Sequence, residues 1–355
     1  GFILGLFISM FAKLWPGLLE AGYIKWFSTP IIRAWPPSSR KKGAIIEQFY
    51  TVTEYEQWAA TTPGSDKYDV RYYKGLAGHE PEDWKDMAKT FEEHTFVYKY
   101  DPVKHNEWFD IYFGDIAAKR REVLRSEPYA ITDDEIHAIA RTKMIPCDLH
   151  MRTETHEYQL DNLQRKLPHA IDGQTQGSRK IVHGAIMELK INGTPKVAQF
   201  AAAVALTQNY HHGEASLENS IYCRMQIYAG GTQLPIIRPS GLAGTRQWGG
   251  DDHGSARYVK VKSNAKLLSL IFPADDYQLL PFTLSEGKQY EPDYFVPIIP
   301  LAICESMHLP AHGWKVQLWA RDLLSIVRRV RICIAGDDVR FIARPHSGLE
   351  LPPYE

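Results

Sequence analysis

Apolar residues crowd the start of the chain. GFILGLFISMFA reaches Lys13 without a charge, and the apolar positions from Phe2 to Leu19 suit a buried helix that stops near Gly17 or Gly22. The run is too short to cross a bilayer, which takes about 20 apolar residues. It also lacks the basic start and small-residue cleavage site of a signal peptide. TPIIRAW then reads as a strand, and WPPSSRKKG (35–43) as a basic turn. In IIEQFYTVTEYEQWAA a strand leads into a helix, with Thr53 as the expected N-cap and Glu56 three residues on as its capping-box partner. DVRYYKGLAG (69–78) is a strand followed by a glycine-bounded turn that carries Lys74. The first 80 or so residues therefore alternate strand and helix, as α/β folds do.

The pattern then changes. Residues 81–145 are charged and helical with few apolar clusters, and are expected to connect domains. From Pro146 to about residue 230 helices follow one another. Gly173 to Gly177 separates two of them, and SRKIVHGAIMEL forms the second, with Ser178 near its cap. A helix, a tight glycine turn and a helix led by Arg179-Lys180 is the order of a helix-turn-helix. An ordinary helical hairpin gives the same pattern and is the commoner structure. Residues 232–300 turn β-rich with repeated Gly and Pro, and WARDLLSIVRRVRI is helical again. The chain begins with Gly rather than Met and ends mid-pattern in RPHSGLELPPYE, so a central piece of a longer protein is expected.

Composition narrows the class. Hydrophobic residues at 44% and charged residues at 23% are globular proportions across 355 residues, enough for two or three domains. A net charge of -1 provides no global basic field, so a nucleic acid would have to be held by local clusters. Cys147, Cys223, Cys304 and Cys333 form no close pairs, which argues against a zinc site or disulfide frame and for a reducing compartment. There is no G-x-x-x-x-G-K-[ST] loop, no H-E-x-x-H, no G-x-S-x-G and no D-x-D motif. The adjacent acids Asp133-Asp134, Asp251-Asp252 and Asp275-Asp276 read as turn and cap residues.

Two stretches carry candidate chemistry. In GGDDHGSARYVKVK (249–262) a glycine-loosened, acidic entrance precedes Arg257-Tyr258, and Tyr-Val-Lys-Val-Lys alternates as a half-buried strand does. A tyrosine phenol titrates near ~10 and is a weak nucleophile at neutral pH. A cation beside it that also grips a phosphate would favour a phosphotyrosyl linkage; packing and plain phosphate contact are the alternatives. In YHHGEASLENS (210–220) two adjacent histidines stand before a helix. Consecutive side chains diverge and no further ligand stands at familiar spacing, so phosphate contact, with Ser216 and the helix N-terminus helping, fits better than metal binding. A structural histidine pair is the plainer reading.

The pieces line up with one family. LLEAGYIKWFSTPIIRAW, FYTVTEYEQW, VRYYKGLA, IDGQTQGSRK, VAQFAAAVALTQNYHHGEASL, SGLAGTRQWGGDDHGSARY, LIFPADDYQLLP and EPDYFVPIIPLAI, in that order over nearly the whole chain, resemble the central part of a eukaryotic or viral type IIA DNA topoisomerase II. IYFG, IPCDLH and GWKVQLWARDL are more similar to the African swine fever virus enzyme, and a large nucleocytoplasmic DNA virus is the expected source. The resemblance implies a mixed α/β multidomain fold: the C-terminal part of a Rossmann-like TOPRIM domain (1–80), a helical linker (81–145), a helix-rich winged-helix (helix-turn-helix) domain (146–335) and the start of a tower domain (336–355).

It also implies roles. Tyr258 matches the tyrosine that attacks DNA and is joined to a 5′ phosphate, and Arg257 the arginine that stabilises the transition state. His212 and Arg165 match residues at the scissile phosphate. Arg179, Lys180, Tyr210, His211 and Ser216 match DNA contacts around it, Arg121 a further backbone contact, and Lys74 a basic residue at the TOPRIM edge. The family's Lys-Pro-Gly-Gln-Arg-Lys loop reads Thr175-Gln176-Gly177-Ser178-Arg179-Lys180, one cation fewer. Ala256 stands where the family has proline, which implies a looser loop. The DNA-bending wedge falls to Pro310 or Leu309. The whole enzyme would use Mg²⁺ and ATP, with the ligands for both outside this chain, and would work as a homodimer on double-stranded DNA, away from membranes. Its place would be intracellular, in the host cytoplasm (a viral factory) or the nucleus. These residues alone are expected to bind DNA without efficient cleavage. A non-catalytic winged-helix DNA-binding module would keep Arg179, Lys180 and the histidines but need no Arg257-Tyr258 pair. A tyrosine recombinase would surround its tyrosine with a different Arg/His set.

Overall fold

The computed structural model describes residues 2–37, 46–73, 78–189, 193–210, 212–228, 230–285 and 288–336. The chain divides into two compact units, Gly1–Gln159 and Leu160–Glu355.

The first unit opens with helices α1 (Phe2–Leu14) and α2 (Pro16–Glu20). Helix α1 is buried only at Gly5 and Ile8, while Ile3 and Phe7 are exposed, so the expected fully buried helix is a one-sided one. A Cβ at Gly5 would lie 2.6 Å from Thr155 Oγ1, so glycine is what lets this helix come so close. Strands β1 (Lys25–Phe27), β2 (Ile32–Trp35) and β3 (Glu47–Phe49) follow, then helix α3 (Val52–Thr61) and strand β4 (Asp69–Tyr72). The capping box of α3 is Thr51 with Glu54, two residues before the expected pair. Strand β2 lies between β3 and β4, antiparallel to both, and its inner face buries Ile32 and Ala34.

Next come helix α4 (Pro81–Lys89), strand β5 (Thr95–Lys99), helices α5 (Pro102–Phe113), α6 (Ala117–Arg125) and α7 (Asp133–Thr142), strand β6 (Met144–Pro146) and helix α8 (Cys147–His150). A π-helical turn, Met151–Thr155, leads into α9 (His156–Lys166). The expected helical linker over 81–145 is therefore part of the first compact unit. Strand β5 is the middle strand of a sheet, antiparallel to β1 and parallel to β6. Helix α4 places Asp83 in an ion pair with the fully buried Arg33 of β2. Its charges hid the strand: of TFVYK only Tyr98 is buried, and the rest is intermediate or exposed.

The second unit contains α10 (Gln176–Met187), α11 (Val197–Thr207), α12 (Glu214–Met225), β7 (Ile237–Ser240), β8 (Lys260–Ser263), α13 (Ala265–Ile271), β9 (Phe282–Ser285), β10 (Lys288–Pro292), β11 (Met307–Ala311), β12 (Trp314–Leu318) and α14 (Leu323–Ile334). Ile181, Phe200, Val204, Ile221 and Val261 are buried in one core shared by the three long helices and the β7–β8 pair. Gly184 permits the close approach of α10 to α11, since a Cβ there would sit 2.6 Å from Val204 Cγ2. The cap of α10 is Thr175, which accepts from the N–H of nearby Ser178 at 3.4 Å. Residues 232–300 hold two separate two-stranded sheets with α13 between them. The hairpin β11–β12, turning at His312-Gly313, is an element that the sequence pattern did not announce.

Candidate functional site

Tyr258 does not open a strand. It sits in the turn before β8, and 73% of it is exposed. The Tyr258 and Val259 N–H groups both donate to Ser255 O, at 2.8 and 3.2 Å. Arg257 is exposed beside it, its guanidinium carbon 5.8 Å from the centre of the Tyr258 ring and its Nε donating to Ser255 Oγ at 3.3 Å. On either side of the pair, Ala256 and Val259 point into the core, at 8% and 4% exposure. Their carbonyls accept from the first N–H groups of α11: Ala198 N to Ala256 O at 3.1 Å, and Val197 N to Val259 O at 2.9 Å. The looser loop implied by Ala256 is instead fastened on both sides of the tyrosine.

A second group gathers before α12. Arg165 is bonded through Nε to Asp161 Oδ2 at 2.7 Å and through Nη1 to His212 Nε2 at 3.2 Å. Tyr210 meets the His212 ring edge-to-face, 5.3 Å between centres. Burial, then the Arg165 charge, holds the His212 pKa below the usual imidazole range, while Asp161 pulls it up. Ser216 is exposed in the first turn of α12. One helix thus follows directly on His212 and, eight residues after Gly213–Glu214 begins it, reaches the loop that leads to Tyr258 (Tyr222 Oη donates to Gly254 O at 2.7 Å).

Arg179 and Lys180 require a correction. Both are 7% exposed and turned inward, not out to a phosphate. Arg179 Nε donates to Asp172 Oδ2 at 2.8 Å and its Nη2 to Gln174 O at 3.2 Å. Lys180 Nζ donates to Gln208 O at 2.6 Å and to Glu291 Oε2 at 2.8 Å. Asp172 and Glu291 are fully buried, and a buried carboxylate demands a cation. The sequence showed two cations at a helix start and hid their partners, which lie 7 and 111 positions away.

The remaining residues are dispersed. Arg121 is half-buried on α6 in the first unit. Pro310 is exposed on β11 opposite Lys315, and Leu309 is half-buried opposite Val316. Lys74, His211 and the segment 337–355 lie outside the described residues. Among the described residues no three His, Cys, Asp or Glu side chains are grouped as a metal site, so they do not fit a resident Mg²⁺. No described helix is long and apolar enough to cross a membrane. Tyr222 and Gln226, four apart at the end of α12, also bond the loop before Tyr258, a target that their spacing in the sequence does not reveal.

Residues 165–347 match the family of the A-type chain of DNA gyrase/topoisomerase IV, and residues 27–153 match the C-terminal associated domain of TOPRIM. The chain belongs to this DNA gyrase/topoisomerase IV family, and so to the type IIA topoisomerases. It is 37% identical to the DNA topoisomerase 2 of African swine fever virus (isolate Pig/Kenya/KEN-50/1950) over 94% of its own length and 28% of the relative's. It is 30% identical to the Trypanosoma brucei brucei DNA topoisomerase 2 over 96% of its length and 27% of that protein. The crystal structure of the Plasmodium falciparum topoisomerase II DNA-binding, cleavage and re-ligation domain superposes with a TM-score of 0.79 at 26% identity, covering 97% of this chain and 45% of that one. The chain therefore spans little more than a quarter of the curated relatives' length.

Proposed function

We propose that these residues form the DNA-cleaving part of a DNA topoisomerase II, which breaks and rejoins double-stranded DNA through a 5′-phosphotyrosyl intermediate. The observation that carries this is Tyr258, exposed to 73% on a turn fixed at both ends, with Arg257 beside its ring. The Tyr258 hydroxyl gives up its proton to water as its oxygen bonds to phosphorus, the bond to the 3′ oxygen breaks, and the leaving 3′ oxygen takes a proton from water. Arg257 offsets the charge that develops on the phosphoryl oxygens. His212, accepting at Nε2 from Arg165, keeps a proton on Nδ1 to donate to a phosphate oxygen, and Arg165 adds charge nearby. Tyr210, Ser216, Arg121, Lys74, His211 and Pro310 are assigned to the surrounding DNA surface, with Pro310 or Leu309 as the bending wedge.

In this reading the first unit is TOPRIM-associated, the second a winged-helix domain, and 337–355 the start of a tower. The whole enzyme is a homodimer that passes one duplex through another with ATP and Mg²⁺, and acts intracellularly on viral DNA. Arg179 and Lys180 shape the second unit from inside. The test is Tyr258→Phe in a type IIA topoisomerase polypeptide that contains these 355 residues. Denaturant-trapped covalent DNA adducts should vanish while DNA affinity stays within a few-fold, because only a hydroxyl is removed. Adducts that survive would assign the attack to another residue, and a protein that never forms adducts would be a binding module.

A further inference from the structure

Between Leu242 and Ser255 the chain makes an excursion that closes on itself. The Gly254 N–H donates to Leu242 O at 2.9 Å, and Gly250 N–H to Thr245 O at 2.9 Å. Asp252 accepts from the Thr245 N–H at 2.7 Å and from its hydroxyl at 2.8 Å. Two side chains from the end of α12 enter this loop. Gln226, the C-cap residue and 8% exposed, donates from Nε2 to Ala243 O at 3.2 Å and to Gly250 O at 3.1 Å. Its Oε1 accepts from the Tyr228 hydroxyl at 3.0 Å, so the whole amide is used. Gly250, at φ +94, leaves room for it: a Cβ there would stand 2.0 Å from Gln226 Nε2. Tyr222, 1% exposed, donates to Gly254 O at 2.7 Å and lies flat on His253, with ring centres 3.8 Å apart and planes 13° from parallel.

We propose that Tyr222 and Gln226 are positioning residues that hold the loop 242–254, and through it the Arg257–Tyr258 pair, in the orientation that attacks phosphate. The inference rests on reading Tyr258 as the nucleophile. The path is short. Gly254 is followed by Ser255, whose carbonyl accepts the Tyr258 N–H and whose hydroxyl accepts Arg257 Nε. The Tyr222 hydroxyl thus holds the peptide that leads into Ser255, which bonds the Tyr258 main chain and the Arg257 side chain. Gln226 ties the far end of the excursion to the same helix, so the loop cannot pivot about Gly254. Since α12 begins just after His212, the two groups of the site take their spacing from one rigid helix. A bound geometry that drifts by an ångström costs orders of magnitude in rate, so such fastening acts on the chemical step more than on binding.

The experiment compares Tyr222→Phe and Gln226→Met with the unchanged protein and Tyr258→Phe, in a type IIA topoisomerase polypeptide that contains these residues. A nicked duplex oligonucleotide is the probe. Single-turnover adduct formation, duplex affinity and thermal melting are measured together, with amide exchange at Gly254 and Tyr258. Tyr222→Phe keeps the ring and its stack on His253 and removes one hydroxyl. Both variants should slow adduct formation about tenfold, with affinity within twofold and faster exchange at Gly254 and Tyr258. Unchanged adduct rates in both variants, while Tyr258→Phe abolishes adducts, would overturn the positioning role and leave the nucleophile standing. Rates that fall only in step with affinity and melting temperature would also overturn it, as a purely structural effect. Adducts surviving in Tyr258→Phe would remove the reading beneath it.

Discussion

Arg165 donates from Nη1 to His212 Nε2 across 3.2 Å, and this contact fixes the protonation state of the histidine. A guanidinium has donors only, so Nε2 must accept, and the neutral ring carries its proton on Nδ1. Burial and the Arg165 charge both act in the same direction, lowering the His212 pKa. Arg165→Ala should therefore raise that pKa, read as a shifted imidazole titration by NMR. A midpoint that stays put or falls would show that the guanidinium does not face the ring in solution.

Stability should decline as pH drops below the free imidazole value of 6.5. His183, His156, His79, His94 and His212 all have lowered pKa values, with burial the largest cause in each. A depressed histidine takes up its proton later in the folded state than in the unfolded chain. The unfolded state therefore binds more protons just below pH 6.5, and stability is complete above that value and lost as pH falls towards the folded pKa values. Denaturant unfolding at pH 7.5, 6.5 and 5.5 should give a falling midpoint; a flat or rising series would contradict burial of neutral imidazoles.

Lys180→Met should cost stability rather than DNA contacts. It leaves the fully buried Glu291 without its cation, and breaking such a pair typically costs about 3–5 kcal/mol. Arg179→Met should act the same way on Asp172. The slope of log affinity against log salt should not change for either, if measured where the variant is folded. A slope reduced by about 0.9, the signature of one lost phosphate contact, would put the side chain on DNA.

Gly173→Ala should lower the melting temperature. The residue has φ +64, and an added Cβ would lie 2.3 Å from the Ala302 backbone nitrogen. The left-handed conformation alone costs roughly 1–2 kcal/mol for an L-residue, and the clash is with backbone that cannot rotate away. A melting temperature equal to the parent's would show that the turn before α10 differs in solution.

What the sequence revealed divides along sequence distance. Helices α10 to α12 and the α/β alternation of the first unit were legible because apolar periodicity is local. The Arg257-Tyr258 pair was legible as two adjacent side chains, and both are exposed. Strand β5 was not legible, because charged neighbours masked a strand buried mainly at Tyr98. The inward turn of Arg179 and Lys180 was not legible either: cations at a helix start look the same whether a phosphate or a distant Glu291 awaits them. Thr51 was displaced by Thr53 as the expected cap because both precede a glutamate by three residues, and only the backbone decides between them.

The turn that carries Tyr258 is sewn to α11 at Ala256 and Val259, and the next residues continue the seam, with Val261 N–H donating to Pro195 O at 2.9 Å. Mechanically, the tyrosine is mounted on a bracket rather than a tether. A duplex end bonded to its oxygen would have two rotatable side-chain torsions and little else between itself and a packed core. Any large separation of broken ends would then have to move that core as one body, and tension along the DNA would be felt first as a load on three main-chain hydrogen bonds.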